Sequence, residues 1–312
     1  MADSDRVPYA LRMLTFDDFD AWGDAVSGAH LRLACDAVER RTWTLGILDL
    51  GGVVLQVATE GGGNLCYGGN AHAGPLLFMP LTRAAEHVVN GMPLGEEALF
   101  AIPHSTDFSI RVRRRAHAWC SVALPAGFPL PIDTTAGSTG LPCRPGSVEA
   151  LRRLVTRIAA ALLERPAGTA AHRAARADLL AAVAACLPAT PPAHAVTGRP
   201  RLDRAAIIRR SMKAIEAGPT LPKAADLART VGVTDRTLLR TFRETFDVPP
   251  KRYLLLRELH AVRRILVAGA PGDATVADVL TRRGIWEFGR FAGRYRDHFG
   301  ELPSRTLARA RA

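Results

Sequence analysis

Short apolar runs separated by glycine and proline dominate the first 126 residues of the chain. The runs 43–50 and 53–58 flank Gly51 and Gly52, which predicts a β-hairpin with a two-residue turn. The triplet 61–63, all glycine, is interpreted as another separator between strands. Further runs of strand length lie at 76–81, 98–103, 108–112 and 119–124. Many short strands of this kind are typical of a sandwich or small barrel, and one early helix is predicted over 17–26.

Two amphipathic helices are predicted after a segment rich in Pro, Gly and Thr at 125–145. The first begins at Ser147, and the second covers 169–187. Their apolar stripes suit either a core within the chain or a dimer interface, and both alternatives stay open. The Pro-rich segment 188–200 then predicts an exposed linker.

The last third of the chain contains an internal repeat with an offset of 53 residues. In each copy an amphipathic helix (222–231 or 275–283) leads to a glycine, Gly232 or Gly284, and one apolar residue follows. A second helix then carries apolar anchors at every third or fourth position. The repeated positions are Leu238, Phe242, Phe246, Asp247 and Pro250, matched by Phe291, Tyr295, Phe299, Gly300 and Pro303. A helix, a tight glycine turn and a second helix predict two helix-turn-helix units.

The formal net charge of +11 is concentrated in the same region. Residues 1–198 hold 17 Lys and Arg against 18 Asp and Glu, whereas residues 199–312 hold 24 against 12. Basic side chains occupy the positions between the apolar anchors: Arg236, Arg240 and Arg243 in the first copy, and Arg290, Arg294 and Arg296 in the second. Arginine hydrogen-bonds guanine edges in pairs and also binds phosphates. The alternative, a helix hairpin with solvated arginines, does not explain two copies at one offset, so we predict binding to double-stranded DNA.

Here the chain resembles a known family. Residues 223–267 are similar to the first half of an AraC/XylS-type DNA-binding domain, and residues 275–307 are similar to its second half. The similarity includes the connecting helix, with Tyr253, Arg257, Leu259 and Leu266. It implies an all-helical module whose two recognition helices enter major-groove segments about 34 Å apart on one face of the duplex.

The resemblance also implies which side chains face DNA. In the first copy the base-facing residues would be Arg236, Thr237, Leu239 and Arg240. In the second copy they would be Trp286, Glu287, Gly289, Arg290 and Gly293. Arg243 and Arg294 complete the predicted contact set. The family often has polar side chains where Gly289 and Gly293 stand, and each glycine costs a helix about 1 kcal/mol relative to alanine. We therefore expect the first copy to supply most of the sequence specificity and the second to position the protein.

The N-terminal part carries no specific motif. Members of this family often place a cupin-like sensing or dimerising domain there, and residues 27–125 are similar to that class in strand pattern. The sequence contains no Gly-x-Ser-x-Gly, no P-loop and no cysteine–histidine signature, so we expect no enzyme and no cofactor. The histidines lack the H-x-H plus Glu spacing of a metal cupin, so we expect no metal. They are His72, His87, His104 and His117. The aromatic candidates for an apolar pocket, or for ordinary core, are Trp43, Tyr67, Phe78 and Trp119. The arginines 113–115 suit either a solvated strand end or an acidic effector.

These patterns predict an α+β protein. Its expected parts are a cupin-like jelly-roll or barrel domain at 1–130, a helical linker with possible dimerisation at 131–200, and an AraC-type all-α DNA-binding domain at 201–312. The expected function is a sequence-specific transcription regulator, acting as an activator with RNA polymerase. It would be a homodimer controlled by a small-molecule effector or a partner. Two alternatives stay open: an N-terminal domain that only dimerises, and a metal-cupin enzyme fused to a DNA-binding domain.

The remaining composition bears on location and redox chemistry. The chain has no run of eighteen apolar residues, and its first residues include acids where a signal peptide would be basic. We therefore expect a cytoplasmic protein without membrane contact. The five cysteines are widely spaced and odd in number, which favours buried free thiols over a disulfide framework or a zinc site.

Overall fold

The computed structural model describes residues 12–82, 86–113, 115–131, 137–162, 170–188, 203–218, 220–270 and 273–311. The chain divides into two compact units, Met1–Gly198 and Arg199–Ala312. Almost all of the predicted linker at 188–200 lies outside the described residues. None of the described helices is long and apolar enough to cross a membrane.

The N-terminal unit contains two antiparallel sheets. In the first sheet the strand order is β1 (Arg12–Phe16), β3 (Trp43–Asp49), β4 (Val54–Glu60), β11 (His117–Ala123), β6 (Leu76–Pro80), β9 (Ala98–Ile102) and β12 (Thr139–Pro142). In the second the order is β2 (Ala29–Val38), β5 (Gly62–Asn70), β10 (Asp107–Val112), β7 (His87–Val89) and β8 (Met92–Pro93). A helix, α1 (Phe19–Ala25), precedes β2 and begins after Asp18, whose carboxylate accepts from the backbone N–H groups of Asp20 and Ala21. The predicted β-rich domain and early helix are confirmed.

The predicted hairpin is formed by β3 and β4. The backbone N–H of Leu50 donates to the carbonyl of Val53 at 2.9 Å, and Gly51 and Gly52 occupy the turn. Both glycines have positive φ, +82° and +85°, a region that residues with a Cβ rarely enter. The Asp49 carboxylate accepts hydrogen bonds from both of their backbone N–H groups, which closes the turn.

The interpretation of the 61–63 glycine triplet as a separator is wrong in part. Gly62 and Gly63 lie in β5 and pair with β2, where the register shifts between Cys35 and Ala37. A Cβ at Gly62 would overlap the carbonyl oxygen of Ala37. These glycines therefore let two backbones approach closely beside a β-bulge, and β2 itself was not predicted.

The central strands of the first sheet are buried on both faces. Phe78, Phe100 and Trp119 point toward the second sheet and share a core with Trp22 of α1. The alternate positions on the same strands form a second core with the helices α2 (Ser147–Leu162) and α3 (Ala170–Cys186). The two-residue period of a strand thus assigns each side chain to one of two cores.

The stripes of α2 and α3 are therefore core within the chain. Leu151, Val155, Leu179 and Val183 are buried against the first sheet. Arg152 is also buried, and its guanidinium donates to the backbone carbonyls of Pro80 and Glu96, which joins α2 to the sheet. Of the two alternatives that periodicity left open, this surface takes the intramolecular one.

The C-terminal unit is helical, as predicted. Its helices are α4 (Arg204–Glu216), α5 (Ala224–Val231), α6 (Asp235–Phe246), α7 (Pro250–Val267), α8 (Val276–Arg282), α9 (Phe288–Phe299) and α10 (Pro303–Arg311). Helix α5 with α6, and α8 with α9, form the two predicted helix-turn-helix units. Helix α4 was not predicted, although Asp203 caps it and Ile207, Ile208 and Met212 are buried.

The cysteines are free thiols. Cys35, Cys66, Cys120 and Cys186 are buried and Cys143 is half-buried. Burial raises the pKa of the Cys120 thiol to about 12, so this thiol is neutral and unreactive at physiological pH.

Candidate nucleic-acid interface

The two helix-turn-helix units have similar turns and different helix starts. Gly232 and Gly284 adopt left-handed conformations, with φ of +75° and +72°. In the first unit the hydroxyl of Thr234 accepts from the backbone N–H of Thr237 at 3.2 Å and caps α6. In the second unit Glu287 stands at the start of α9 and makes no side-chain capping bond. The first recognition helix therefore has the better satisfied N-terminus.

The anchors of α6 and α9 are buried in equivalent ways. Leu238, Phe242 and Phe246 line the inner face of α6, and Phe291, Tyr295 and Phe299 line that of α9. Both helices end in a left-handed residue, Asp247 with φ of +60° and Gly300 with φ of +78°. The 53-residue repeat is therefore a repeat of structure as well as of sequence.

The outer face of α6 is basic. Arg236, Arg240 and Arg243 are exposed, and none of them has an acidic partner among the described residues. Glu244, on the same helix, accepts instead from Arg204 at 2.8 Å. Arg236 and Arg240 are four residues apart and so lie on one side of the helix. The helix thus presents two adjacent guanidinium groups with their hydrogen-bonding capacity unused.

Thr237 occupies a different environment from the arginines. It is half-buried, its backbone N–H is bound by the Thr234 hydroxyl, and the two hydroxyls are 2.9 Å apart. Leu239 is half-buried as well. The capping role of Thr234 was missed, although a threonine just before a helix is a recognisable start signal.

The outer face of α9 is less basic. The Arg290 guanidinium donates to Glu287 at 2.7 Å, and both side chains are 63% exposed. Arg294 is exposed without an acidic partner in the described residues. Trp286, 71% exposed, stands just before the helix. Part of the positive charge on this face is therefore neutralised before any ligand arrives.

Packing does not require the two glycines of α9. A Cβ built at Gly289 or Gly293 meets no atom within 4 Å. With the offset of 53, these positions correspond to Arg236 and Arg240 of α6. Both positions thus have room for a side chain on the exposed face.

Ionic and hydrogen-bonding contacts hold the second helix-turn-helix unit together. At the end of α8, the Arg283 guanidinium donates to Glu258 of α7 at 2.6 Å. The hydroxyl groups of Tyr295 and Thr306 are 2.9 Å apart. Burial tends to raise the pKa of the Glu301 carboxyl, but hydrogen bonds from Arg309 and Thr306 outweigh it and lower that pKa overall. Glu301 therefore stays ionised and ties α10 to the end of α9.

The N-terminal unit contains a second candidate site, a cavity of about 60 Å³ between its two sheets. Phe78 and Trp119 line it while also belonging to the core between the sheets, so both roles considered for these aromatic residues apply to them. Trp43 and Tyr67 do not line it: Trp43 is packed in the core, and the Tyr67 hydroxyl donates to Asp107 at 2.8 Å. Both residues are buried on strands, and Trp43 belongs to the core, the alternative considered for all four aromatic residues.

A buried polar cluster forms one wall of this cavity. Oε1 of Glu60 accepts from Nε1 of Trp119 at 2.7 Å and from Nδ2 of Asn64 at 3.2 Å, and Nε2 of His117 lies 3.4 Å away. Burial alone lowers the pKa of His117, but the Glu60 carboxylate more than offsets it and leaves that pKa raised. The members of this cluster come from three strands, so no local motif marks it in the sequence.

The four candidate histidines of this unit lie in two pairs. The ring centroid of His87 is 5.2 Å from that of His117, whereas His104 contacts the backbone of His72. Within the described ranges, no three Asp, Glu, His or Cys side chains converge as a metal site would need. Arg113 and Arg115 are exposed, and residue 114 lies outside the described residues.

Comparison with known proteins finds a family model and relatives that match part of this chain. A family model described as "Helix-turn-helix domain" matches residues 227–309. The "Probable thc operon regulatory protein" of Rhodococcus erythropolis is 33% identical over 102 residues, 32% of this chain and 31% of that protein. The "XylDLEGF operon transcriptional activator 2" of Pseudomonas putida is 30% identical over 113 residues, 36% of this chain and 69% of that protein.

A solved structure is also similar to part of this chain. The crystal structure of a probable AraC family transcriptional regulator from Rhodopseudomonas palustris is 30% identical, with a TM-score of 0.31. It covers 34% of this chain and 98% of that one. The chain spans only about a third of the length of the first curated relatives it matches, 31% and 33%.

Proposed function

This chain belongs to the AraC/XylS family of helix-turn-helix transcriptional regulators, and we propose that it recognises a specific DNA site through two unequal recognition helices. In this proposal α6 reads base edges and α9 mainly contacts the phosphate backbone. The N-terminal unit controls this binding in response to a small-molecule effector.

The observation that carries the proposal is the pair of unpaired, exposed arginines on α6, Arg236 and Arg240. A guanidinium presents a planar fork of donors that matches O6 and N7 of guanine. Arg243, further along the helix, and the half-buried Thr237 complete the proposed contact surface of this helix. Because neither Arg236 nor Arg240 must first break an ion pair, their charge is available for DNA without that cost.

Helix α9 has a different composition and is assigned a different role. Arg294 binds phosphate, and Arg290 does so once it leaves Glu287. Trp286 adds an apolar contact before the helix, of the kind that thymine methyl groups accept. Phosphate contacts set register and orientation but carry little sequence information, so α9 positions the protein on DNA.

The cavity of the N-terminal unit supports effector control. It is lined mainly by apolar side chains and has a small polar wall, which is the usual composition of a small-molecule site. We infer effector control from this space in preference to an N-terminal domain that only dimerises. The activator role, the contact with RNA polymerase and the homodimer are part of the proposal, and the Pseudomonas relative named as an activator supports the first of these.

Genome-wide binding-site mapping with the intact chain tests the proposal. We expect a small set of sites that share one sequence, whereas the Arg236→Ala/Arg240→Ala variant loses that shared sequence. Glu244→Gln on the outer side of α6 serves as the matched control and keeps it. Sites that share no sequence in the unaltered protein would contradict specific recognition.

A further inference from the structure

We propose that the cavity between the two sheets of the N-terminal unit binds a small, largely apolar molecule that carries a primary amine. Glu60 and Asn64 accept hydrogen bonds from the amine head. This inference rests on the proposed effector control and specifies the chemical class of the effector.

The walls of the cavity select an apolar body. Most of its surface comes from aliphatic and aromatic side chains, among them Trp22, Leu76, Phe78, Ile102, Phe108 and Ile110. A sugar or another strongly hydrated molecule would lose its hydrogen bonds to water against such walls without replacing them. The ligand body is therefore hydrocarbon.

The polar wall offers unused acceptors. Oε2 of Glu60 and Oδ1 of Asn64 are buried without a hydrogen-bond partner among the described residues, and the two residues are only 3% and 7% exposed. The Asn64 amide has a defined orientation because its Nδ2 donates to Oε1 of Glu60 at 3.2 Å, which leaves its oxygen free. Leaving a buried acceptor unsatisfied is costly, so a ligand that donates to both oxygens gains free energy.

The two oxygens of the Glu60 carboxylate have different surroundings. Oε1 faces donors from Trp119, Asn64 and His117, whereas Oε2 faces none of these. An ammonium carries three N–H donors and no acceptor, so it satisfies both Oε2 and the Asn64 oxygen. A carboxylate ligand would instead place negative charge and further acceptors beside Glu60. The wall therefore favours amines over acids.

The size of the cavity limits the ligand. The cavity volume of about 60 Å³ holds roughly four to six water molecules, because one water molecule requires about 10–15 Å³ of cavity volume. A short alkyl chain with one head group is of this size. We therefore choose n-butylamine as the probe, with n-butanol and butyrate as probes of equal chain length and different head groups.

The test titrates the three probes into the full chain and measures binding by calorimetry. We expect n-butylamine to bind at least about tenfold more tightly than butyrate, with n-butanol between them, because one hydroxyl donor satisfies one acceptor. Butyrate binding as tightly as n-butylamine would overturn the proposal.

Variants locate the binding. Glu60→Gln keeps an oxygen that accepts from Trp119, Asn64 and His117 but turns an NH₂ group toward the ligand. Binding of n-butylamine should therefore weaken at least about tenfold. Glu96→Gln, on the exposed surface of the same unit, is the matched control and should change nothing. Unchanged amine binding by a folded Glu60→Gln protein would contradict the assignment.

A second variant keeps the test decisive if Glu60→Gln does not fold. Ser121 lines the cavity without a hydrogen bond to the Glu60 cluster, and Ser121→Leu fills the space. This variant should lose binding of n-butylamine while its circular dichroism spectrum is unchanged. Undiminished binding would place the amine elsewhere and overturn the proposal.

Parallel DNA-binding measurements separate this inference from effector control itself. If butyrate rather than n-butylamine binds in the cavity and changes the affinity for DNA, effector control stands and the amine assignment fails. If n-butylamine binds through Glu60 without changing the affinity for DNA, the amine site stands and effector control fails.

Discussion

Helices α6 and α9, the proposed recognition helices, share a scaffold and differ on the surface they expose. Each rests on three buried anchors spaced along one face and ends in a left-handed residue. On α6 the exposed positions carry Arg236 and Arg240, whereas on α9 the equivalent positions are Gly289 and Gly293. Anchors determine that a helix forms and where it lies, and the residues between them determine what it binds. A duplicated fold can therefore divide one task unequally.

The largest expected effect tests the shared part of this comparison. Phe242→Ala and Tyr295→Ala remove fully buried rings at equivalent positions. Each should lower the local free energy of unfolding by about 3–5 kcal/mol, because a large cavity replaces the ring. Hydrogen exchange of the α6 and α9 amides measures both losses. A large loss for one variant and almost none for the other would show that the two scaffolds are not equivalent.

The next effect concerns the exposed arginines. Arg240→Ala should weaken binding to the target DNA by about 1–3 kcal/mol and relax the preference at one base pair. Arg294→Ala should weaken binding to all sequences alike. It should also reduce by about 1 the slope of the logarithm of the binding constant against the logarithm of the salt concentration. Fluorescence anisotropy at several salt concentrations measures both. Relaxed base preference in the Arg294→Ala protein would contradict the assigned roles.

A smaller effect concerns the glycines of α9. Gly293→Ala should stabilise the helix by about 1 kcal/mol, because alanine is the better helix former and the site has open space. Gly284→Ala is the control, since Gly284 has a φ of +72° and alanine there is strained. Hydrogen exchange of α9 should therefore slow in the first variant and speed up in the second. Slower exchange in both the Gly293→Ala and the Gly284→Ala variants would contradict an explanation by helix propensity and backbone strain.

The smallest effect concerns Glu287. Glu287→Gln releases Arg290 and removes a negative charge from the surface proposed to face DNA, so binding to any duplex should tighten on the order of twofold. The gain is modest because the ion pair is exposed. Asp297→Asn, near the other end of α9, is a control for the loss of one charge. A gain limited to the target sequence would point to base recognition by Arg290 instead.

Local patterns predicted much of this structure. The Gly51-Gly52 hairpin and both helix-turn-helix units depend on residues close in sequence, so periodicity and turn chemistry were sufficient. The apolar stripes of α2 and α3 were predicted as well, but periodicity shows which face is buried and not what covers it. Strand β2 and the glycines of β5 were missed because their pairing joins distant segments through a bulge.

The candidate sites divide in the same way. The arginines of α6 and α9 follow from helical spacing, and the Thr234 cap could have been predicted from its place before a helix. The Glu287–Arg290 ion pair is visible only in the structure. Local sequence motifs could not predict the cavity of the N-terminal unit, since Glu60, Asn64 and His117 lie on different strands. A carboxylate at an inward-facing strand position, as in β4, was the available signal.

The most direct test of the central claim is the ratio of dissociation constants for random and target duplex at one salt concentration. It is measured for Arg236→Ala/Arg240→Ala and for Arg290→Ala/Arg294→Ala. We predict that the ratio collapses toward one in the first variant. In the second it stays near that of the unaltered protein while both affinities fall. Collapse of the ratio in the second variant, with the first unaffected, would contradict the division of roles between α6 and α9.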